Sequence, residues 1–153
     1  MKNRERKHRV WTGHKMEYDV LVGVLGAFYV PGLDENDSAC ISPFNTKFPP
    51  ESPVMDHFGY PDKNGKDIYQ GDIIELTNDR NEKIRVVCEY GTVQRRIVGG
   101  TVNLCDITGF YFRNQHGQAT FPIFENYQGK NDVELFEVIG NIYENPELFT
   151  HGK

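Results

Sequence analysis

The residues most able to do chemistry crowd into one stretch, GYPDKNGKDIYQGDII at 59–74, where Asp62, Asp67 and Asp72 stand at five-residue intervals with Glu75 just beyond. Carboxylates that converge on one point can hold a divalent metal for phosphoryl transfer, often with a lysine beside them. Pro61-Asp62 is similar to the start of a nuclease pattern in which Pro-Asp is followed, on a later strand, by an acid, a spacer and a lysine. That second half is missing, because Glu82-Lys83 lacks the spacer. A turn accounts for the same residues without remainder. Asp62 can accept hydrogen bonds from downstream amides, Asn64 tolerates a left-handed backbone, and Gly65 supplies one. Gly71-Asp72 then makes a second turn that launches Ile73-Ile74 into a strand, with Tyr69 lying across as a packing lid. On this reading Asp62, Asn64, Gly65, Gly71 and Asp72 are structural, and the stretch offers no catalytic residue, no metal site and no cofactor.

The elements that position these residues are strands. Stretches of ten or more residues with helical apolar spacing are scarce, while β-branched and aromatic residues and turn-forming glycines abound. Residues 17–30 read as a strand pair or a strand broken at Gly23 and Gly26. Residues 31–57, with Pro31, Pro43, Pro49, Pro50 and Pro53, read as a loop or insertion holding at most a short helix. From Asp72 the pattern sharpens: a strand over 73–77, a turn at Asn78 to Asn81, then alternation over 83–90. There Ile84, Val86, Cys88 and Tyr90 share one face and Arg85, Val87 and Glu89 the other, which makes Cys88 core filler. Residues 93–98 and 101–104 flank Gly99-Gly100, a pair suited to a two-residue hairpin. Phe110 to Phe112 lead into a turn at Asn114 to Gly117, a strand returns over 120–124, and 134–143 form the last strand. Asn145-Pro146-Glu147 predicts one closing helical turn with an amide cap. Short strands joined by hairpins hide their edges by closing the sheet. The expected architecture is therefore mostly β: a single domain over 1–153 with a small SH3-like or related barrel at about 58–143, extra N-terminal strands and few short helices.

Charge is unevenly placed. Residues 1–10 carry five of the 17 basic residues and one of the 22 acidic ones, leaving 12 basic and 21 acidic residues over 11–153. Such a body repels a phosphate backbone unless the basic arm, Arg4, Arg6, Lys7 and Arg9 with Trp11 beside it, does the binding. The alternative for that arm is a solvated edge strand protected by its charges. Three cysteines, Cys40, Cys88 and Cys105, are far apart with no histidine at ligand spacing, so neither a disulfide framework nor a zinc site is suggested and a reducing cytoplasm is expected. No apolar run approaches the roughly 20 residues of a membrane span, and the N-terminus lacks the apolar core of a signal peptide.

Other constellations are weaker. His8, His14, His57, His116 and His151 are scattered; Ser38, Ser42 and Ser52 all fall in 31–57, outside any Gly-x-Ser-x-Gly elbow; and no phosphate-binding glycine pattern occurs. Tyr111, opposite in phase to Phe110 and Phe112, could join Trp11, Tyr127 and Tyr143 in an exposed stacking surface, although core packing accounts for most such rings.

Three segments carry a resemblance: RKHRVW at 6–11, DKNGKDIYQGDII at 62–74 and VIGNIYENPEL at 138–148 closely resemble the YopX family. The resemblance implies a mostly β fold, phage or prophage origin and a family of unknown biochemical role, and it brings no catalytic residues. The expectation is a phage- or prophage-encoded accessory protein in the bacterial cytoplasm, acting as a non-enzymatic protein-interaction module on a host or phage partner. Self-association into a homo-oligomer through strand edges fits this chemistry too. A nucleic-acid-binding barrel and a metal-dependent nuclease-like enzyme are the alternatives.

Overall fold

The computed structural model describes residues 7–18, 20–23, 26–29, 52–78, 80–99, 101–121 and 131–150. Strands dominate and no α-helix occurs among the described residues. The chain divides into two compact units, Met1–His57 and Phe58–Lys153.

In the first unit, β1 (His8–Trp11) and β2 (Met16–Tyr18) form a hairpin with Val10 opposite Glu17. The Thr12 hydroxyl oxygen accepts the Lys15 N–H at 3.2 Å across the turn, and Gly13 takes φ 94°, a backbone state that side chains resist. The other edge of β1 pairs with the start of β5 (Val54–Pro61), His8 opposite Asp56. Val10 and Val20 are buried with Val54 packed on them. The strand pair expected over 17–30 is β3 (Val20–Gly23) and β4 (Gly26–Tyr29), Gly23 opposite Gly26.

The second unit is built on a five-stranded antiparallel sheet. After β6 (Asp67–Tyr69), its members are β7 (Asp72–Thr77), β8 (Lys83–Gly99), β9 (Thr101–Asn114), β10 (Ala119–Thr120) and β11 (Glu137–Asn141), ordered β10-β9-β8-β7-β11 and curled into a half barrel. Alternation places Val86, Cys88 and Phe112 on the inner face. There they form a core with Phe58, Ile68, Ile74, Val133 and Phe136, and the Phe58 ring meets Phe112 edge-on at 5.3 Å. Val87, assigned to the outer face with Arg85 and Glu89, is fully buried as well.

Three elements differ from the sequence reading. Residues 93–98 and 101–104 are not separate short strands but the ends of β8 and β9, a continuous ribbon paired from Val86↔Asn114 to Gly99↔Thr101. Gly91 and Gly109 stand opposite each other inside it. Residues 134–143 are not one strand: a 3-10 turn (Asp132–Leu135) precedes β11, because the Asn131 side chain caps it by accepting the Val133 N–H. The closing turn, Pro146–Phe149, is also 3-10, and Asn145 makes no side-chain cap bond to it. Arg85 holds that turn instead, donating from Nη1 to the Leu148 carbonyl at 3.0 Å. Most of the segment expected as an insertion, 31–51, and residues 122–124 of the strand expected over 120–124 lie outside the described residues, while Thr120 belongs to β10.

Candidate functional site

In the acidic stretch the carboxylates turn toward backbone amides. Asp62 Oδ1 accepts the N–H of Asn64 at 2.8 Å and of Lys66 at 2.9 Å, while Oδ2 accepts the N–H of Val138 at 3.0 Å. Burial pushes the Asp62 carboxyl up, yet the N–H bonds from Val138, Lys66 and Asn64 and the Lys66 charge together hold it below the usual range. Asp72, 1% exposed, accepts the Tyr69 N–H at 2.8 Å. Between them Gly71, at φ 86°, donates to the Cys88 carbonyl and accepts from Ile142, which welds the turn to β8 and to the end of β11. Glu75 Oε1 is bridged by Lys83 at 2.7 Å and Oε2 by Arg85 at 3.1 Å; Lys83 above all pulls its carboxyl down. Among the described residues no group of three or more histidine, cysteine or acidic side chains is arranged to hold a metal.

One loop design occurs three times among the described residues. At 62–66, 78–82 and 114–118 the first residue is Asp or Asn, and its side-chain oxygen accepts the N–H groups two and four residues on. Its own N–H donates to the fifth carbonyl, and the fourth residue has positive φ: Gly65 at 82°, Asn81 at 61° and Gly117 at 78°. The left-handed position in the first loop is Gly65 alone, so Asn64 does not share it. In the two other loops the amide nitrogens of Asn78 and Asn114 bond Glu82 and Gln118. Asp62 differs in being an acceptor on both atoms, and its second oxygen ties the β5–β6 loop to β11.

The β8–β9 ribbon is the second feature. β7 meets β8 no further than Val87, and β10 meets β9 only at Phe112 and Arg113. Beyond those points the two strands pair only with each other among the described residues. The ribbon is bent. Arg95 stands opposite Cys105, and Ala119 opposite Arg113, eight residues along β9; a straight strand would separate the two levels by about 27 Å. Arg95 nevertheless donates to the Ala119 carbonyl at 2.6 Å and lies 5.1 Å over the Phe121 ring, so the ribbon curls back over the face that carries Tyr111. Gly91 and Gly109 pair with each other between these two levels. A side chain at Gly91 would meet Tyr111 at 3.7 Å, and one at Gly109 would meet open space. On the same face Arg113 donates from Nε at 2.9 Å and again from Nη2 to Glu89 Oε1. Burial and a hydrogen bond to Glu89 raise the Tyr111 hydroxyl. On the opposite face the rings of Phe58, Phe110 and Tyr90 follow one another at 5.4 and 5.1 Å, with Tyr60 beside Phe58 at 5.7 Å.

The predicted site residues are not gathered. Arg4 and Arg6 lie outside the described residues, as does Tyr127. Lys7 and Trp11 are partly buried, and Arg9 is inside β1 at 2% exposure, so it is not part of a solvated arm. Tyr111 and Tyr143 line one cleft. The aromatic that sequence alternation sent to the core, Tyr90, is 48% exposed. No local signal places it, because its exposure follows from where β7 stops.

A YopX protein family model matches residues 7–150. The chain belongs to the YopX family. Among solved structures it is similar to protein EF1440 from Enterococcus faecalis, at 21% identity and a TM-score of 0.50, over 96% of this chain and 99% of that one. That likeness concerns the fold. No curated protein matches the chain.

Proposed function

We propose that this YopX protein is a phage- or prophage-encoded accessory protein that works in the bacterial cytoplasm as a non-enzymatic interaction module. The observation that carries the reading is the β8–β9 ribbon, whose outer edges pair with no other strand among the described residues. Open strand edges are templates for another chain, and proteins that do not use them cover or interrupt them. Tyr90 at 48% and Leu104 at 58% exposure add apolar contact area to the ribbon. The acidic residues best placed for chemistry, Asp62 and Asp72, bond backbone N–H groups and hold turns, which supports binding over a metal-dependent nuclease.

The partner is a host or phage protein, with a second copy of the chain as a further occupant of an open edge. Pull-down from lysate of infected host cells, with the native chain and with Tyr90→Glu, tests this. Enrichment that the substitution abolishes supports the module; no enrichment with the native chain overturns it. The nucleic-acid alternative now rests on Arg4, Arg6 and Lys7. It calls for salt-sensitive anisotropy of labelled DNA or RNA that disappears when residues 1–6 are removed.

A further inference from the structure

The direction of the backbone along β8 follows from its bonds. Cys88 turns its carbonyl away from β9, where it accepts the Gly71 N–H at 2.7 Å. The N–H and C=O of one residue point to the same side of a strand, and successive residues alternate. The register with β9 is unbroken from Val86 to Gly99, so Tyr90, Thr92, Gln94 and Arg96 also point away from β9. Beyond Val87 no strand among the described residues pairs with that side. Among the described residues those four form an open row of donors and acceptors about 20 Å long.

Where β7 gives out and this row begins, a cleft of about 160 Å³ opens, lined among others by Gly71, Cys88, Glu89, Tyr90, Tyr111 and Tyr143. Tyr111 and Tyr143 beside the Glu89 carboxylate favour a cation, which aromatic faces attract through their quadrupole, while the Tyr90 ring packs on Phe110. The volume is that of one long side chain, about five waters' worth of liquid. Glu89 takes both Arg113 bonds on Oε1, and the Tyr111 hydroxyl bonds the same carboxylate.

We propose that the β8 edge binds an extended segment of a partner protein as an added strand, with a lysine or arginine of that segment entering the tyrosine cleft. In such pairing main-chain bonds supply affinity and side-chain pockets supply selectivity. Charge selects a basic segment over a second copy. Residues 11–153 hold 21 acidic against 12 basic residues, so two copies repel while a basic segment is attracted to the body as a whole. The inference rests on the reading of the chain as a protein-binding module.

A library of random twelve-residue peptides panned against the full chain tests it. The expected survivors are β-branched and rich in lysine or arginine, and they slow hydrogen exchange of the Tyr90, Thr92, Gln94 and Arg96 amides at least tenfold. Gln94→Pro removes one outward N–H and leaves the β8–β9 ladder intact, because proline is tolerated where the N–H faces outward. It should weaken these peptides at least tenfold with the thermal midpoint nearly unchanged. Tyr143→Ala should weaken lysine- and arginine-bearing peptides more than versions with norleucine at that position. Three results each overturn the inference: no enriched peptide, enriched peptides that are acidic, or peptides that bind Gln94→Pro as well as the native chain. Lysate capture that survives Gln94→Pro while the library fails leaves the module standing and removes only the edge. Loss of both removes both.

Discussion

Replacing Asp62 by asparagine separates a turn residue from a site residue. Asparagine is the native choice at the equivalent positions 78 and 114, so its carbonyl can keep the bonds to Asn64 and Lys66. What it cannot keep is the third bond. Its NH₂ would face the Val138 N–H, donor against donor, where Asp62 Oδ2 now accepts at 3.0 Å. A hydrogen bond to a charged group is worth about 1.5–3 kcal/mol, and Asp62 is only 6% exposed, so Asp62→Asn should cost about 2–3 kcal/mol. Asp62→Ala, which loses all three acceptors, should cost roughly 3–5 kcal/mol. Urea unfolding at pH 7 reads both, as a lowered midpoint at unchanged slope. Acid supplies an independent check. The native carboxyl is held below its ordinary 3.8 by the bonds from Val138, Lys66 and Asn64, which outweigh burial. The unfolded chain therefore takes up the proton first as pH falls. The stability that Asp62 confers is complete above the unfolded value and is lost as pH drops through the folded one. The gap between native protein and Asp62→Asn should accordingly narrow below about pH 4. An asparagine variant within about 0.5 kcal/mol of native stability, or a gap that widens in acid, would refute this account of the residue.

Gly140 offers a second test, since a methyl there would lie 2.6 Å from Asn145 Oδ1 and 2.9 Å from Leu148 Cδ1. Gly140→Ala should destabilise by about 1–3 kcal/mol in urea, and Asn145→Gly in the same chain should recover part of that loss. In the Glu75 pair of ion bridges the exposed partner matters least. Lys83→Ala should stay within about 0.5 kcal/mol of native, while Arg85→Ala, which also frees the Leu148 carbonyl, should cost about 1–2 kcal/mol by the same measurement. Arg95→Ala should let the ribbon straighten, seen as a longer distance between spin labels at positions 94 and 116, with global stability nearly unchanged; an unaltered distance would mean that something other than Arg95 holds the bend.

Local chemistry was legible in the sequence wherever a short motif fixes its own geometry. Asp62 to Lys66, Asn78 to Glu82 and Asn114 to Gln118 each close through bonds within five residues, so reading Asx and glycine positions sufficed to find all three turns. Alternation likewise put Val86, Cys88 and Phe112 inside. What failed was whatever depended on where neighbouring strands stop. Tyr90 has the same parity as Cys88, and nothing local says that β7 ends before it; its exposure is a property of sheet order. The separate strands expected over 83–90 and 93–98 are one, because Gly91 and Gly109, where glycine ordinarily weakens a strand, face each other inside an unbroken ladder. The third bond of Asp62 reaches 76 residues along the chain, and no spacing rule predicts it. Arg9 misled for the opposite reason: a basic run suggests solvent, whereas strand pairing on both sides of β1 encloses that position.

The ribbon is informative because the rest of the sheet is guarded. β7 is covered on one side by β11 and on the other by β8, and the gap at their junction is sealed by Gly71 bonding both Cys88 and Ile142. Past that seal, the usual protections are absent from the described part of β8: between Tyr90 and Gly99 there is no proline, no lysine and no bulge. Two arginines are the only charges there, and Arg95 is committed to Ala119 and Phe121. A sheet that closes one side of β8 as far as Cys88 and, among the described residues, leaves the outward groups from Tyr90 to Arg96 open has its surface divided by chemistry. The closed part holds the fold, and the open part is where affinity for another chain costs the fold least to provide.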